Sequence, residues 1–239
     1  YEVDLNTDKE TQVTSSTEES YFAQGYSPLT GEIVYSADKG GNENSHLYLI
    51  REGESIDLTP GERTKASLLG WTKNEKQMYF QSNSRNPKYF DLYKIDIETL
   101  ETVMLFKNNK AYTYSSISNN DKSLIFDLSL SRSIDKMFIY NLETKQRVEI
   151  SNQKANYWGQ GFDKDDKNYY YTTNYEGEFH YLMSYNIESG KRALVYKADW
   201  DVVNSYLSKN DTYRVIAVNE DAKNKIIVKN NKDSSLIKL

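Results

Sequence analysis

The chain has 239 residues and a net charge of −5, from 30 basic and 35 acidic residues, and no basic stripe that would favour nucleic-acid binding. It has no cysteine, which excludes disulfides and thiolate metal ligands, and no apolar run approaches the ~18 residues that a membrane-spanning helix needs. Its 21 tyrosines favour half-buried strands, because a tyrosine joins an apolar ring to a polar tip.

The first residues, YEVDLNTDKETQVT, read as a strand, a polar turn and a second strand. They match the second half of a unit that recurs later, and Tyr1 lies 46 residues before the corresponding Leu47. We therefore predict that residues 1–20 form half of a repeat. No signal peptide is visible at Tyr1, which is expected of a mature or trimmed form.

From residue 21 onward two landmarks recur with one period. A polar turn returns after steps of 45, 46, 45 and 45 residues, at Ser27, Thr72, Ser118, Asp163 and Ser208. A third-strand pattern returns after 45, 45, 45 and 44 residues as HLYLI, DLYKI, KMFIY, YLMSY and KIIVK. Two independent landmarks with the same spacing indicate an internal structural repeat.

Each repeat contains four strand-like runs separated by short polar turns. The first runs, YFAQGY, SLLGW, YSSI, YWGQGF and VNSYL, are rich in small residues, which predicts a close approach of neighbouring groups near a central axis. Four antiparallel strands repeated every ~45 residues are typical of a β-propeller blade, and no helical periodicity is present.

The predicted fold is therefore all-β, a single β-propeller region over 1–239. Its parts are a half-blade at 1–20 and blades at 21–63, 64–110, 111–154, 155–198 and 199–239. The half-blade favours a fragment of a ring of seven or eight blades, and the alternative is a compact arrangement of five and a half blades. Trp71, Phe80, Phe126 and Phe162 are predicted to lie in the core between blades.

Three acidic residues, Asp163, Asp165 and Asp166, resemble a calcium-binding cluster. They also occupy the hairpin turn of their repeat, where aspartate is an ordinary residue, and the segment lacks the twelve-residue EF-hand pattern. A turn is the preferred interpretation, and we predict no metal and no cofactor.

The segment GWTKNEKQMYFQSNSRNPKYFDLYKIDIETLE resembles a blade of the prolyl oligopeptidase family of serine peptidases, in its acylaminoacyl-peptidase-like branch. The segments 18–50 and 163–191 resemble it too. The turns are similar to the Ser-Pro-Asp-Gly-Lys turn shared with Tol-type propellers, although only Ser27-Pro28 keeps the Ser-Pro pair. The resemblance implies an N-terminal propeller that admits peptides, and not folded proteins, to a C-terminal α/β-hydrolase domain of the same polypeptide.

Catalysis is not expected in this chain itself. The G-x-S-x-G elbow of such hydrolases does not occur, and the two histidines, His46 and His180, fall at equivalent places near the start of a third strand. We interpret both as part of the blade register.

Long polar loops between second and third strands are the predicted binding surface, because loops on a rigid scaffold commonly carry binding residues. Arg85 is a candidate for a bidentate pair with a carboxylate of a peptide or of the partner domain, and a solvated or inter-blade arginine is the alternative. The candidate substrate or domain-interface residues are Asn42, Asn44, His46, Arg85, Asn86, Tyr175 and Glu178.

Three functions compete. The preferred one is the non-catalytic propeller region of a serine peptidase, with peptides as substrates. A free-standing Tol-like propeller that binds proteins is the alternative. A metal-dependent lactonase ranks last, because the innermost runs offer mainly small and aromatic residues. Substrate preference, oligomeric state and compartment, whether periplasmic, secreted or cytoplasmic in a bacterium, are left open by the sequence.

Overall fold

The computed structural model describes residues 1–16 and 18–238, which form two compact units, residues 1–111 and the residues from 112 onward. All regular secondary structure in the described part is β-strand. A helix long and apolar enough to cross a membrane is not found among those residues.

The described residues of the first unit form one two-stranded and two four-stranded antiparallel sheets. The strands are β1 (Glu2–Asp4), β2 (Lys9–Thr11), β3 (Tyr21–Tyr26), β4 (Ile33–Ala37), β5 (His46–Arg51), β6 (Glu54–Asp57), β7 (Ala66–Trp71), β8 (Gln77–Ser82), β9 (Asp91–Asp96) and β10 (Thr102–Phe106).

The described residues of the second unit form three four-stranded antiparallel sheets. The strands are β11 (Thr113–Ile117), β12 (Ser123–Ser131), β13 (Ile134–Asn141), β14 (Arg147–Glu149), β15 (Tyr157–Phe162), β16 (Asn168–Thr173), β17 (Tyr181–Asn186), β18 (Arg192–Tyr196), β19 (Asp201–Leu207), β20 (Tyr213–Glu220), β21 (Lys223–Asn230) and β22 (Leu236–Ile237).

Every four-stranded sheet pairs its strands in chain order, so each is a meander of three hairpins. The preceding pair of β1 and β2 is the predicted half of such a sheet. The prediction of an all-β chain built from four-stranded repeats with a two-stranded beginning is therefore confirmed.

The polar turns that define the repeat close with one hydrogen bond across five residues. The backbone N–H of the first turn residue donates to the carbonyl five positions later, at 2.7–3.0 Å, in all five repeats. In four of them the side-chain oxygen of that first residue also accepts the backbone N–H of the residue five positions later, as Ser118 Oγ does from Ser123 at 2.8 Å. A short side chain with an acceptor oxygen is needed there, which explains why the position holds Ser, Thr or Asp.

The three aspartates of the fourth turn serve separate purposes. The carboxylate of Asp163 accepts the backbone N–H groups of Lys167 (2.7 Å) and Asn168 (3.1 Å), while Asp166 accepts those of Asn119 (2.8 Å) and Asn120 (2.7 Å) in the preceding repeat. Asp165 is exposed. The interpretation of this segment as a turn is confirmed, and Asp166 ties it to the neighbouring sheet.

Each unit buries apolar side chains between consecutive sheets. In the first unit the core between the two four-stranded sheets includes Val34, Leu47, Leu49, Met78, Phe80 and Ile95. In the second unit the core includes Ile125, Met137, Tyr157, Tyr169 and Tyr171, and a smaller cluster includes Leu182, Val202, Ile216 and Val218. Of the predicted core aromatics, Phe80 and Phe126 are buried, and Trp71 and Phe162 are half-buried against these clusters.

The small residues of the first strands have two explanations. Gly25, Gly70 and Gly161 follow a β-bulge and have φ of +127°, +152° and +98°, where a side chain is strained. A Cβ added at any of the three would meet no described atom within 4 Å, so the prediction of a close approach is wrong for them. The prediction of a close approach is right at Gly159, because an added Cβ would lie 2.2 Å from Tyr169 Oη and 2.3 Å from Ser115 Oγ.

We expect Gly159→Ala to destabilise the chain by about 1–3 kcal/mol, because the fully buried Tyr169 ring cannot move away from the new methyl group. Urea denaturation of the variant measures this loss. Tyr169→Phe removes the clashing hydroxyl, so in the double variant the effect of Gly159→Ala should shrink. Equal losses in the presence and absence of the Tyr169 hydroxyl would show that this contact is not the cause.

Candidate binding site on the inter-strand loops

A polar cavity of about 440 Å³ lies in the first unit, between the β4–β5 loop and the segment after β6. It is lined by Lys39, Asn42, Asn44, His46, Tyr48, Asp57, Pro60, Gly61 and Glu62. Three of the seven predicted site residues, Asn42, Asn44 and His46, therefore come together in one place.

His46 forms the inner wall of this cavity and is 9% exposed. Its Nδ1 lies 2.7 Å from Asp57 Oδ2, and its Nε2 lies 2.9 Å from the carbonyl oxygen of Gly61. Asp57 Oδ1 also accepts the backbone N–H of Thr59 at 3.0 Å. Both ring nitrogens already have an acceptor within the protein, so His46 fixes the shape of the cavity wall and offers no spare nitrogen to a ligand.

The remaining polar groups of the cavity are amides, a phenol and two opposite charges. Asn42 Oδ1 accepts the backbone N–H of Asn44 at 2.9 Å, which stabilises the loop. Burial and the nearby carboxylate of Asp57 raise the pKa of Tyr48 to about 12, so the phenol stays neutral and can donate a hydrogen bond. Neutral donors and acceptors between Lys39 and Glu62 suit an uncharged polar ligand, such as a stretch of peptide backbone.

Arg85 and Asn86, also predicted as site residues, lie on the β8–β9 loop and are not among the described residues that line this cavity. The guanidinium of Arg85 makes a two-pronged ion pair with Asp91, with Nε–Oδ2 at 2.5 Å and Nη2–Oδ1 at 2.8 Å. It also donates to the carbonyl of Asn108 at 2.7 Å. Asn86 Oδ1 accepts the backbone N–H of Lys88 at 2.9 Å. Arg85 thus has a carboxylate partner within its own sheet, and its pairing with a peptide or with a partner domain stays a prediction.

In the second unit, Tyr175 lines a separate depression with Glu176, Tyr181, Met183, Leu194 and Lys197. The Tyr175 hydroxyl donates to Glu176 at 2.8 Å, and that bond raises the pKa of Tyr175. Glu178 is exposed and does not belong to the described lining of this depression. Ligand roles for Tyr175 and Glu178 stay predictions.

His180 lies one position before the first residue of β17, whereas His46 is the first residue of β5. The prediction of equivalent places is therefore wrong by one residue, which in a strand is the difference between opposite faces. His180 Nδ1 lies 3.0 Å from Asp201 Oδ1, and its ring stacks on Trp158 with centroids 3.8 Å apart. Its Nε2 is buried without a hydrogen-bond partner among the described residues.

Among the described residues, the side-chain hydrogen bonds of the two histidines go to Asp57, the Gly61 carbonyl and Asp201 and to no serine, so neither histidine is part of a Ser–His–Asp arrangement there. Sequence reasoning missed Lys39, Tyr48, Asp57 and Glu62 as cavity residues. One signal was available for Asp57: the β5–β6 hairpin pairs it with Tyr48 and so places it diagonally from His46 on the same face. The charged loop residues carried no comparable signal.

The repeated four-stranded meanders and their polar loops define the chain as a β-propeller region. It belongs to the family described as the dipeptidyl peptidase IV (DPP IV) N-terminal region, whose model matches residues 1–138. A curated relative, dipeptidyl aminopeptidase BIII of Pseudoxanthomonas mexicana, is 27% identical in an alignment 236 residues long, which covers 88% of this chain and 31% of the relative. The chain therefore spans about a third of the length of that relative.

Solved structures show the same fold at low sequence identity. A prolyl endopeptidase matches with a TM-score of 0.71 and 11% identity, over 94% of this chain and 36% of that one. TolB from Acinetobacter baumannii matches with a TM-score of 0.60 and 14% identity, over 92% of this chain and 52% of TolB. The prediction of a propeller of the prolyl oligopeptidase family is confirmed. The family model that matches is that of the dipeptidyl peptidase IV N-terminal region.

Proposed function

We propose that this chain is the non-catalytic propeller region of a serine peptidase and that it controls which peptides reach a C-terminal α/β-hydrolase domain of the same polypeptide. The observation that carries the proposal is the family match over residues 1–138, together with a peptidase relative of which the chain spans 31%. The hydrolase domain supplies the nucleophile and the proton carrier, and the propeller supplies access and binding.

The structure of each unit suits a rigid entrance. In every repeat, the same backbone hydrogen bond closes the polar turn between the first and second strands. Apolar residues fill the space between consecutive sheets. Rigid sheets hold polar loops at fixed positions, and a folded protein cannot deform them. An unfolded peptide needs only a narrow passage, so such a scaffold selects substrates by size.

The cavity at His46 fits this function as a secondary contact for a peptide. Its neutral amide and phenol groups can exchange hydrogen bonds with backbone amides of any sequence, while His46 and Asp57 hold the wall in place. Asn42, Asn44 and Tyr48 would then be the residues that touch substrate.

A Tol-like protein-binding scaffold is the second candidate. The TolB likeness is at 14% identity and supports a common fold alone, whereas the family match points to peptidases.

The proposal is tested by asking whether the full-length protein cleaves the same recognition segment in two substrates. The segment is presented as a free peptide and inside a stably folded carrier protein, and we expect cleavage of the first only. A destabilised carrier carrying the same segment is the control and should be cleaved as it unfolds. Equal kcat/KM for the free peptide and the folded carrier would overturn the role in access, and no cleavage of any peptide would overturn the peptidase assignment.

A further inference from the structure

A second cavity, in the second unit, has a composition unlike the first. It has a volume of about 280 Å³ and is lined by Tyr196, Ala198, Asp199, Trp200, Val218, Glu220, Lys225 and Ile227. These residues come from the end of β18, the linker before β19, and the β20–β21 hairpin. Its volume is below that of most small-molecule sites, and is of a size for a single long side chain.

Two cations lie at this cavity: Lys225 lines it, and the Lys229 ammonium lies 4.7 Å from the centroid of the Tyr196 ring, which also lines it. Lys225 Nζ pairs with Glu220 Oε2 at 3.0 Å, so these two residues neutralise each other. Asp199 is exposed and makes no ion pair among the described residues. Asp199 lines the cavity without an ion-pair partner among the described residues, so its carboxylate can attract a positively charged group.

Beside its charged residues, the cavity has an aromatic and aliphatic part. Trp200 is 40% exposed, and its indole lies against Phe179 with ring centroids 5.9 Å apart, which holds the ring in place. Val218, which is buried, and Ile227 provide an apolar surface. An indole face is the best aromatic partner for a cation, and an apolar floor suits the methylene stem of lysine or arginine.

We infer that this cavity, which we call the Trp200 cavity, binds the basic side chain of a peptide, with the stem on Val218 and Ile227 and the cationic head between Trp200 and Asp199. The inference rests on the proposed function only in taking peptides as the source of the side chain. It would give the peptidase a preference for substrates with lysine or arginine at a distance from the cleaved bond.

Binding of Nα-acetyl-arginine N-methylamide to the 239-residue chain tests this inference without any hydrolysis. The acetyl group removes the α-ammonium, so the side chain carries the only positive charge. The Trp200 indole N–H resonance, assigned with Trp200→Phe, reports occupancy. Nα-acetyl-norleucine N-methylamide, which keeps an aliphatic stem but has no charged head group, is the comparison ligand and should bind more weakly.

We expect Asp199→Asn to weaken binding of the arginine derivative by about two- to fivefold, as for an exposed ion pair. Trp200→Leu should weaken it by roughly two- to fivefold, from the lost cation–π contact, and titration calorimetry measures the affinity of this variant because the reporter indole is absent from it. Asp165→Asn removes the same charge from an exposed position of the same unit and should leave the affinity unchanged.

Equal affinity for the norleucine derivative, or an unchanged affinity in Asp199→Asn, would overturn the inference. Circular dichroism of each variant shows that it is folded, and both changes are at exposed positions. Binding of the arginine derivative does not depend on the peptidase assignment, because it is measured on this chain without any cleavage. Failure of cleavage and failure of binding are therefore separate results.

Discussion

Arg85→Ala is expected to lower the free energy of unfolding of the chain by about 3 kcal/mol, a large effect for a residue on an exposed loop. Its partner Asp91 has a fully buried side chain, and it also accepts the backbone N–H of Asn108 at 2.7 Å. Removing the guanidinium would leave a buried carboxylate without its cation. Because a quarter of the Arg85 side chain is exposed, we place the loss at the lower end of the range for buried pairs.

Urea denaturation measures this loss, and two variants control it. Arg63→Ala removes an exposed arginine of the same unit and should change stability by less than about 0.5 kcal/mol. Asp91→Asn in the Arg85→Ala background removes the buried negative charge that has lost its cation, and it should restore part of the stability. If Arg85→Ala is as stable as Arg63→Ala, the pair is merely a solvated contact, and a substrate role for Arg85 becomes the better explanation of the residue.

Asp127→Asn is expected to stabilise the chain at pH 8, by roughly 2 kcal/mol or more. Burial, with a smaller contribution from the negative charge of Asp135, raises the pKa of Asp127 from 3.8 to about 7. Its Oδ1 atom is shielded from solvent and has no hydrogen-bond partner among the described residues. Such a carboxyl prefers to be protonated in the folded chain, so its ionisation at pH 8 opposes folding, and a neutral amide avoids that cost.

The pH dependence has a definite sign. Between about pH 4 and pH 7 the folded chain holds a proton on Asp127 that the unfolded chain has lost, so stability falls as pH rises through this window. The stability difference between Asp127→Asn and the unchanged chain should therefore grow from pH 4 to pH 7 and level off above it. Denaturation at pH 5, 6, 7 and 8 measures this difference, with Asp165→Asn as the exposed control. A difference that is constant with pH would mean that Asp127 is already ionised in the folded chain.

The repeat could be read from the sequence because each of its landmarks has a local cause. The turns at Ser118 and Ser208 need a side-chain oxygen at one position, and that requirement leaves a mark at every ~45th residue. The alternation of strands and turns follows from the same local rules, so the order of strands in each sheet was predictable.

The candidate site was only partly predictable, because its contacts join residues that are far apart in the sequence. Arg85 was noticed as a possible carboxylate ligand, but the partner Asp91 is identified only when the β8–β9 loop folds back on β9. The Trp200 cavity was missed, since Asp199 and Trp200 in a linker meet Glu220 in a hairpin through folding alone. Gly159 and Gly161 look alike in sequence, and yet one avoids a clash and the other adopts a positive φ.

The most direct test of the peptidase assignment is the intact mass of the natural gene product, measured together with its labelling by a fluorophosphonate probe for activated serines. The chain spans 31% of its curated relative, so we predict a product about three times the 27.8 kDa of this chain, labelled on a segment beyond Leu239. An unlabelled product barely larger than 27.8 kDa would contradict the assignment and would favour a protein-binding propeller.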